Sequence, residues 1–134
     1  MFFFTNGTIN MSYDYWIIKV DSKFKTLSEI KDEGEFSSVG DIEYIKKTAN
    51  TVVPELNWKS RVDSEGRVAW WAESRNIGPQ LSLLVQNKND SITSISVLTS
   101  ARLDYMDLVE KLANALNASY VDMQTMQIVH KFYK

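Results

Sequence analysis

Residues 56–72, with the sequence LNWKSRVDSEGRVAWWA, constrain the fold of this chain more than any other stretch. Two runs of strand-forming residues flank the Gly-containing connection 63–66, and this pattern predicts a β-hairpin. The alternation of strand side chains places Trp58, Ser60 and Val62 on one face of the first strand and Val68 with Trp70 on one face of the second, while the four-residue loop leaves the cross-strand register open. The opposite positions are Lys59, Arg61, Arg67 and Trp71.

The adjacent pair Trp70 and Trp71 has two interpretations. Neighbouring residues of a strand point to opposite faces, so both rings could be structural in a sheet that is covered on two sides. Alternatively, one ring is an exposed anchor at a binding surface, where tryptophan is enriched among the residues that dominate binding energy. Arg61, Arg67 and Arg75 are near enough in sequence to stack or pair there.

The remaining periodic patterns predict two helices and further strands. Residues 12–20 are apolar at both alternating sets of positions, which indicates a central strand covered on both faces. A helix is predicted over 41–53, with Gly40 as its cap, and Pro54 ends it. A second strand pair is predicted over 81–87 and 92–99, with the first of these nearer the centre of the sheet.

A second helix is predicted from Tyr105 to Leu116, capped by Asp104 and followed by Asn117. Short strands at 120–123 and 127–133 then close the chain. This order predicts an α+β fold, in which a mostly antiparallel β-sheet has two main helices packed on one face. A ferredoxin-like variant is one candidate topology.

The composition fits one soluble domain. A chain of 134 residues with 44% hydrophobic and 24% charged residues can bury a core without covalent links. The lack of cysteine excludes disulfides and cysteine-based metal or redox sites. A net charge of −2 argues against nucleic acid as a partner, and no stretch is long and apolar enough for a membrane span. We therefore expect a cytoplasmic protein. Residues 1–10 are expected to be a tail or an upstream extension, and residues 11–134 the domain.

Carboxylates are concentrated before and at the start of the first helix. We call this stretch, residues 29–43, the acidic segment; its acidic residues are Glu29, Asp32, Glu33, Glu35, Asp41 and Glu43. One interpretation is a solvated loop with a short helix up to Gly34, since Thr26 and Glu29 have the spacing of a capping box. The other interpretation is a docking surface for a basic partner.

No motif indicates catalysis or a cofactor. His130 is the only histidine, so we expect no Ser-His or Cys-His catalytic pair and no multi-histidine metal site within a single chain. The five glycines form no phosphate-binding loop, and the acidic segment does not have calcium-loop spacing. We expect a protein that is not an enzyme, with no metal and no cofactor.

Both ends of the chain carry short motifs, MSYDYW at 11–16 and VDMQT at 121–125. Together they resemble the opening and closing stretches of small bacterial α+β proteins associated with polymorphic toxin systems. In those proteins glycine often follows the closing stretch, and here the residue is Met126. The resemblance implies an immunity protein of the contact-dependent inhibition type, which binds and neutralises a cognate toxin that could be a nuclease. It supplies no catalytic residues. The predicted contacts are the six carboxylates of the acidic segment and Trp71.

Two other functions remain open. A small-molecule-binding α+β domain would enclose an apolar pocket, lined by residues such as Trp16, Trp70 and Tyr105. An enzyme that uses a carboxylate pair is the least favoured, because no nucleophile accompanies His130.

Overall fold

Seven antiparallel strands form the main sheet of the computed structural model, which describes residues 3–5, 8–10, 13–62, 64–73, 80–85, 91–99 and 106–132. In chain order, all strands of the described residues, inside and outside this sheet, are β1 (Phe3–Thr5), β2 (Thr8–Asn10), β3 (Tyr13–Ile18), β4 (Gly40–Asp41), β5 (Asn57–Val62), β6 (Val68–Glu73), β7 (Gln80–Val85), β8 (Ser91–Ile92), β9 (Ser94–Thr99), β10 (Ser119–Asp122) and β11 (Gln127–Val129). The α-helices are α1 (Ile42–Val52) and α2 (Met106–Ala115).

The order of strands across the main sheet is β11-β10-β3-β9-β7-β6-β5. Two short ladders, β1 with β2 and β4 with β8, lie outside it. The predicted α+β class with a mostly antiparallel sheet is confirmed. The ferredoxin-like variant stays a prediction, and so does the separation of residues 1–10 from the domain.

Both helices pack on the same face of the sheet, which we call the helix face. Their buried side chains form one apolar cluster with strand residues such as Ile17, Val97 and Tyr120. In α1, Ile45 and Ala49 are buried one turn apart, as the periodic pattern predicts. In α2, the buried residues are Val109, Leu112 and Ala113.

The cap of α1 differs from the prediction. Asp41, not Gly40, precedes the helix, and its Oδ1 accepts a hydrogen bond from the backbone N of Tyr44 at 2.7 Å. Glycine has no side-chain oxygen for this bond, whereas aspartate is among the preferred N-cap residues. Gly40 instead has φ of 148° and pairs with Ile92 in the β4–β8 ladder.

The C-terminal end of α2 follows the prediction at Asn117. This residue has φ of 52°, the left-handed conformation that asparagine tolerates better than most residues. The predicted cap Asp104 and the predicted first residue Tyr105 lie outside the described residues.

The opposite face of the sheet, which we call the cover face, is covered at one end by described residues. Residues 21–38 cross it there, over a second apolar cluster built on Ile18, Val20, Val121 and Ile128. The side chains that pack down onto this cluster are Trp16, Phe24, Leu27, Ile30, Phe36 and Met123. Strand β3, which lies inside the sheet and not at its edge, is therefore covered on both faces, as predicted.

Residues 21–38 do not form the predicted short helix up to Gly34. They form two turns of 3₁₀ helix, η1 (Leu27–Glu29) and η2 (Glu33–Glu35). Ile30 and Phe36 end these turns in extended backbone conformation, and both side chains pack on the second cluster. The extended backbone at Ile30 ends the helical turn before Gly34.

The middle strand of the sheet is β9, which corrects the prediction that the more apolar 81–87 lies nearer the centre. In β9, buried Ile95 and Val97 alternate with half-buried Ser94 and Ser96. The apolar content of a strand reports whether its two faces are covered, and it does not determine which strands are its hydrogen-bonded neighbours.

Candidate functional site

The predicted hairpin is present, and its tryptophans lie on different faces of the sheet. Trp58 pairs with Ala72 and Trp70 pairs with Ser60, whereas Trp71 pairs with Lys59. Because side chains alternate along a strand, Trp58 and Trp70 lie on the helix face and Trp71 lies on the cover face.

The two tryptophans on the helix face contact α1. Trp58 Nε1 donates a hydrogen bond of 2.6 Å to Asn50 Oδ1, and Asn50 Nδ2 donates to the backbone O of Leu56 at 3.4 Å. Lys46 Nζ lies 4.5 Å from the centre of the Trp70 ring, within cation–π distance. Trp58 and Trp70 therefore join the hairpin to the helix.

Trp71 is half-buried on the part of the cover face that residues 21–38 leave open. The strand register gives a row of neighbours from Trp16 through Ser96 and Ser82 to Trp71 and then Lys59. Three strand spacings separate Trp71 from Trp16, a lateral distance of about 14 Å. Of the hairpin tryptophans, Trp71 is therefore the one on the cover face.

The register also separates two residues predicted to line one apolar pocket. Trp16 packs in the cluster on the cover face, and Trp70 packs against the cluster on the helix face. The sheet lies between them, so the two rings do not line a common pocket. The third predicted residue, Tyr105, lies outside the described residues.

The carboxylates of the acidic segment divide into two groups of three. The first group binds backbone groups of its own chain. Glu29 Oε1 accepts hydrogen bonds from the backbone N of Thr26 at 2.8 Å and of Lys25 at 3.0 Å, which closes the predicted capping box. Asp32 Oδ1 accepts from the N of Gly34 at 2.9 Å, and Asp41 caps α1.

The second group consists of Glu33, Glu35 and Glu43, whose charges face solvent. The side chains of Glu33 and Glu35 are exposed and make no hydrogen bond or ion pair with the rest of the described chain. The Glu43 side chain is 81% exposed, and its Oε1 lies 3.8 Å from Lys46 Nζ, a distance at the limit of an ion pair. These three carboxylates are the ones available to another molecule.

The acidic residues also belong to different layers of the molecule. Glu33 and Glu35 lie in residues 21–38, which cover one end of the cover face, whereas Glu43 lies in the first turn of α1 on the helix face. The structure does not bring all six carboxylates together on one face.

Hydrogen bonds fix the backbone beneath Glu33 and Glu35. The N of Ser37 donates to the O of Lys19 at 2.8 Å. The N of Leu27 donates to the O of Met126, and the N of Ile128 donates to the O of Lys25, both at 2.9 Å. The segment is held at both ends and by the apolar side chains below it.

His130 holds the same segment. Its Nε2 lies 2.7 Å from the carbonyl O of Phe24, and its Nδ1 lies 2.8 Å from Oγ of the buried Ser119. A carbonyl only accepts, so Nε2 carries the proton and, in the neutral ring, Nδ1 accepts from Ser119. Both ring nitrogens are engaged in structural bonds.

Tyr120 and Glu110 form a further polar cluster, between α2 and the sheet. Glu110 Oε2 accepts from the Tyr120 hydroxyl and from Lys131 Nζ, each at 2.7 Å. The bonds from Lys131 and Tyr120 lower the pKa of Glu110. Burial, followed by the bond to Glu110, raises the pKa of Tyr120 well above its ordinary value. A tyrosine held protonated in this way is a hydrogen-bond donor and not a nucleophile.

The described residues include no group of three or more His, Asp or Glu side chains that could hold a metal ion. One polar atom within the described chain is unexplained: Asp14 Oδ1 in β3 is buried and has no hydrogen-bond partner. We have no physical account of it. Across the described ranges, no helix is long and apolar enough to cross a membrane.

The sequence patterns did not predict β5 as a binding surface. Lys59 and Arg61 are two residues apart in this strand, both exposed, on the face that also carries Trp71. The signal in the sequence is a pair of cations at alternate positions of a strand, which is a common feature of strands at the edge of a sheet. No family model matches this chain, and no curated protein sequence matches it.

Proposed function

We propose that this protein is an immunity protein, which binds a cognate toxin in the cytoplasm and neutralises it by protein–protein contact. The observation that carries the proposal is the pair of solvent-facing carboxylates, Glu33 and Glu35, on an anchored backbone. A surface that is already ordered loses little conformational entropy when it binds, so more of its interaction energy appears as affinity.

A nuclease toxin fits the charge of this surface. Nuclease sites bind phosphate groups and are therefore positively charged, and a negative surface accelerates the encounter with such a site and selects for it. Trp71, on the open part of the cover face, is the aromatic contact that we assign to the same partner. Large aromatic side chains at an interface often contribute most of the binding energy.

The test is a titration of the purified protein with the toxin domain encoded by the neighbouring gene, at low and at moderate salt. We expect Glu33→Lys and Glu35→Lys each to weaken binding by about tenfold or more at low salt, since like charges then face each other. The loss should shrink at moderate salt, because exposed charges are screened.

Asp107→Lys is the matched control. It makes the same change of charge at a carboxylate on α2 that is 86% exposed and belongs to the helix face. We expect this variant to bind like the wild-type protein. Equal weakening by Asp107→Lys would show a general charge effect, and no weakening by either glutamate variant would remove the acidic segment from the interface. Failure of the wild-type protein to bind the toxin, or to rescue cells that express it, would overturn the proposed function itself.

A further inference from the structure

The two edges of the main sheet differ in whether their outer backbone groups have partners. At one edge, β11 has only three residues, and residues 25–27 run along its outer side. Ile128 donates its N–H to the carbonyl of Lys25, and Thr26 forms a bridge with Gln127. This edge is closed by the chain itself, which is one way in which proteins prevent unwanted strand pairing.

The opposite edge is open. Strand β5 has six residues, and β6 is its hydrogen-bonded neighbour in the sheet. Every residue of β5 except Trp58 is exposed, and no hydrogen bond from the rest of the described chain reaches its outer side. Residues 57–62 contain no proline. Alternate N–H and C=O groups of β5 are therefore available in the pattern that an added strand uses.

The charges of β5 select what can pair there. Lys59 and Arg61 lie on the same face, two residues apart. An antiparallel second copy of β5 in the register that pairs Lys59 with Arg61 would oppose cations of the two chains, and like charges on opposed strand positions are destabilising. The same two cations favour a strand with acidic side chains at the facing positions, so the edge discriminates by charge against its own copy.

The other face of β5 selects for apolar side chains. Val62 is 63% exposed there, and Trp58 on the same face is half-buried. β-branched residues at the facing positions of a new strand would cover Val62 and extend the apolar surface of the hairpin.

We infer that the edge of β5 is a docking site for an extended segment of another protein, in which acidic and β-branched residues alternate. The segment joins the sheet as an eighth strand, with its carboxylates beside Lys59 and Arg61 and its apolar side chains beside Val62. This surface lies at the far edge of the sheet from Glu33 and Glu35 and has the opposite charge. It uses neither of those two carboxylates, although Lys59 is the cross-strand partner of Trp71.

The probe is a capped peptide of sequence Glu-Val-Glu-Val-Glu-Val, titrated into the full-length protein and followed by NMR and amide hydrogen exchange. We expect binding with a Kd of about 1 mM or tighter, in the range of weak peptide recognition. Protection of amide hydrogens should be confined to β5. The corresponding Lys-Val peptide should bind at least about tenfold more weakly, because it places like charges opposite each other.

Two controls separate strand addition from simple charge attraction. An acidic peptide N-methylated at alternate residues keeps its charge but loses the backbone donors of one edge, so it should not bind. The double variant Lys59→Glu with Arg61→Glu should reverse the preference toward the Lys-Val peptide. Lys47→Glu with Lys111→Glu, at exposed helix positions, should keep the wild-type preference.

Three results would each overturn the inference. These are an acidic peptide that fails to bind, an N-methylated peptide that binds equally well, and protection that maps outside β5. The comparison of the two acidic peptides uses only wild-type protein, so it stands even where a charge-swapped variant folds poorly.

Discussion

Met126 has a backbone conformation that residues with a Cβ rarely adopt. Its φ is 63°, in the left-handed region that costs a residue with a Cβ about 1–2 kcal/mol. The turn requires this conformation, because the N of Met126 donates to the O of Asp122 at 2.7 Å and its O accepts from Leu27. Glycine adopts this conformation without the steric cost of a Cβ.

We expect Met126→Gly to stabilise the protein by about 0.5–1 kcal/mol, because relief of the left-handed strain exceeds the extra chain entropy of glycine. Met126 is 38% exposed and belongs to neither apolar cluster, so its replacement removes no contact within those clusters. The measurement is the midpoint of urea unfolding. Met126→Ala is the control: it keeps a Cβ and should show no gain. A lower midpoint for the glycine variant would contradict the strain argument.

At the scale of elements, each end of the acidic segment depends on a carboxylate that caps its own backbone. Asp41 begins α1, and Glu29 closes the turn η1 that lies against the β10–β11 connection. Hydrogen bonds from the backbone of Thr26 and then of Lys25 lower the pKa of Glu29. Protonation of Glu29 therefore weakens the turn that positions the exposed carboxylates.

A lowered pKa in the folded state has a definite consequence for stability. The contribution of Glu29 is fully present above the ordinary glutamate pKa of 4.5 and is lost as the pH falls through the lower folded value. Glu29→Gln keeps the accepting oxygen but does not titrate. We expect the variant to lose less stability than wild type between about pH 7 and about pH 3, as measured by urea unfolding. Parallel pH profiles would exclude a role for Glu29 ionisation in stability.

For the whole molecule, local patterns predicted the elements but not their arrangement. The alternation of side chains along the strands predicted the hairpin, and the 3.6-residue period of apolar residues predicted α1 and α2. Both patterns are visible because they depend only on residues that are close in sequence. The pairing of β3 with β9 and β10 joins distant parts of the sequence, and no local pattern encodes it. The register across these strands places Trp16 and Trp70 on opposite faces, so these two rings do not line one pocket.

The candidate site was predictable only in part, for a similar reason. Composition identified the acidic segment, but turn geometry decides that Glu29 binds backbone N–H groups while Glu33 faces solvent. The open edge of β5 follows from its last place in the strand order. Neither property can be read from the residue types alone.

A substitution of His130 would test whether contacts with the rest of the molecule keep the acidic segment ordered. His130→Ala removes the bond to the Phe24 carbonyl and leaves the buried Ser119 hydroxyl without its partner. We expect a loss of about 1–3 kcal/mol in unfolding free energy, the usual effect of leaving a buried polar group unpaired. Amide exchange at Leu27 and Ser37 should accelerate more than exchange in β3 and β9, since local opening needs less free energy than global unfolding.

Ser119→Ala is the matched control for the hydrogen bond between His130 and Phe24. It removes the hydroxyl but leaves His130 Nε2 able to donate to Phe24, so exchange at Leu27 and Ser37 should stay close to that of wild type. Equal acceleration across the whole sheet in His130→Ala would mean that the histidine supports the core in general and not this segment. Selective acceleration would show that the position of Glu33 and Glu35 depends on a bond made from the other end of the chain. Toxin binding by His130→Ala should then weaken even though every acidic side chain is intact, because the segment must be ordered again on binding.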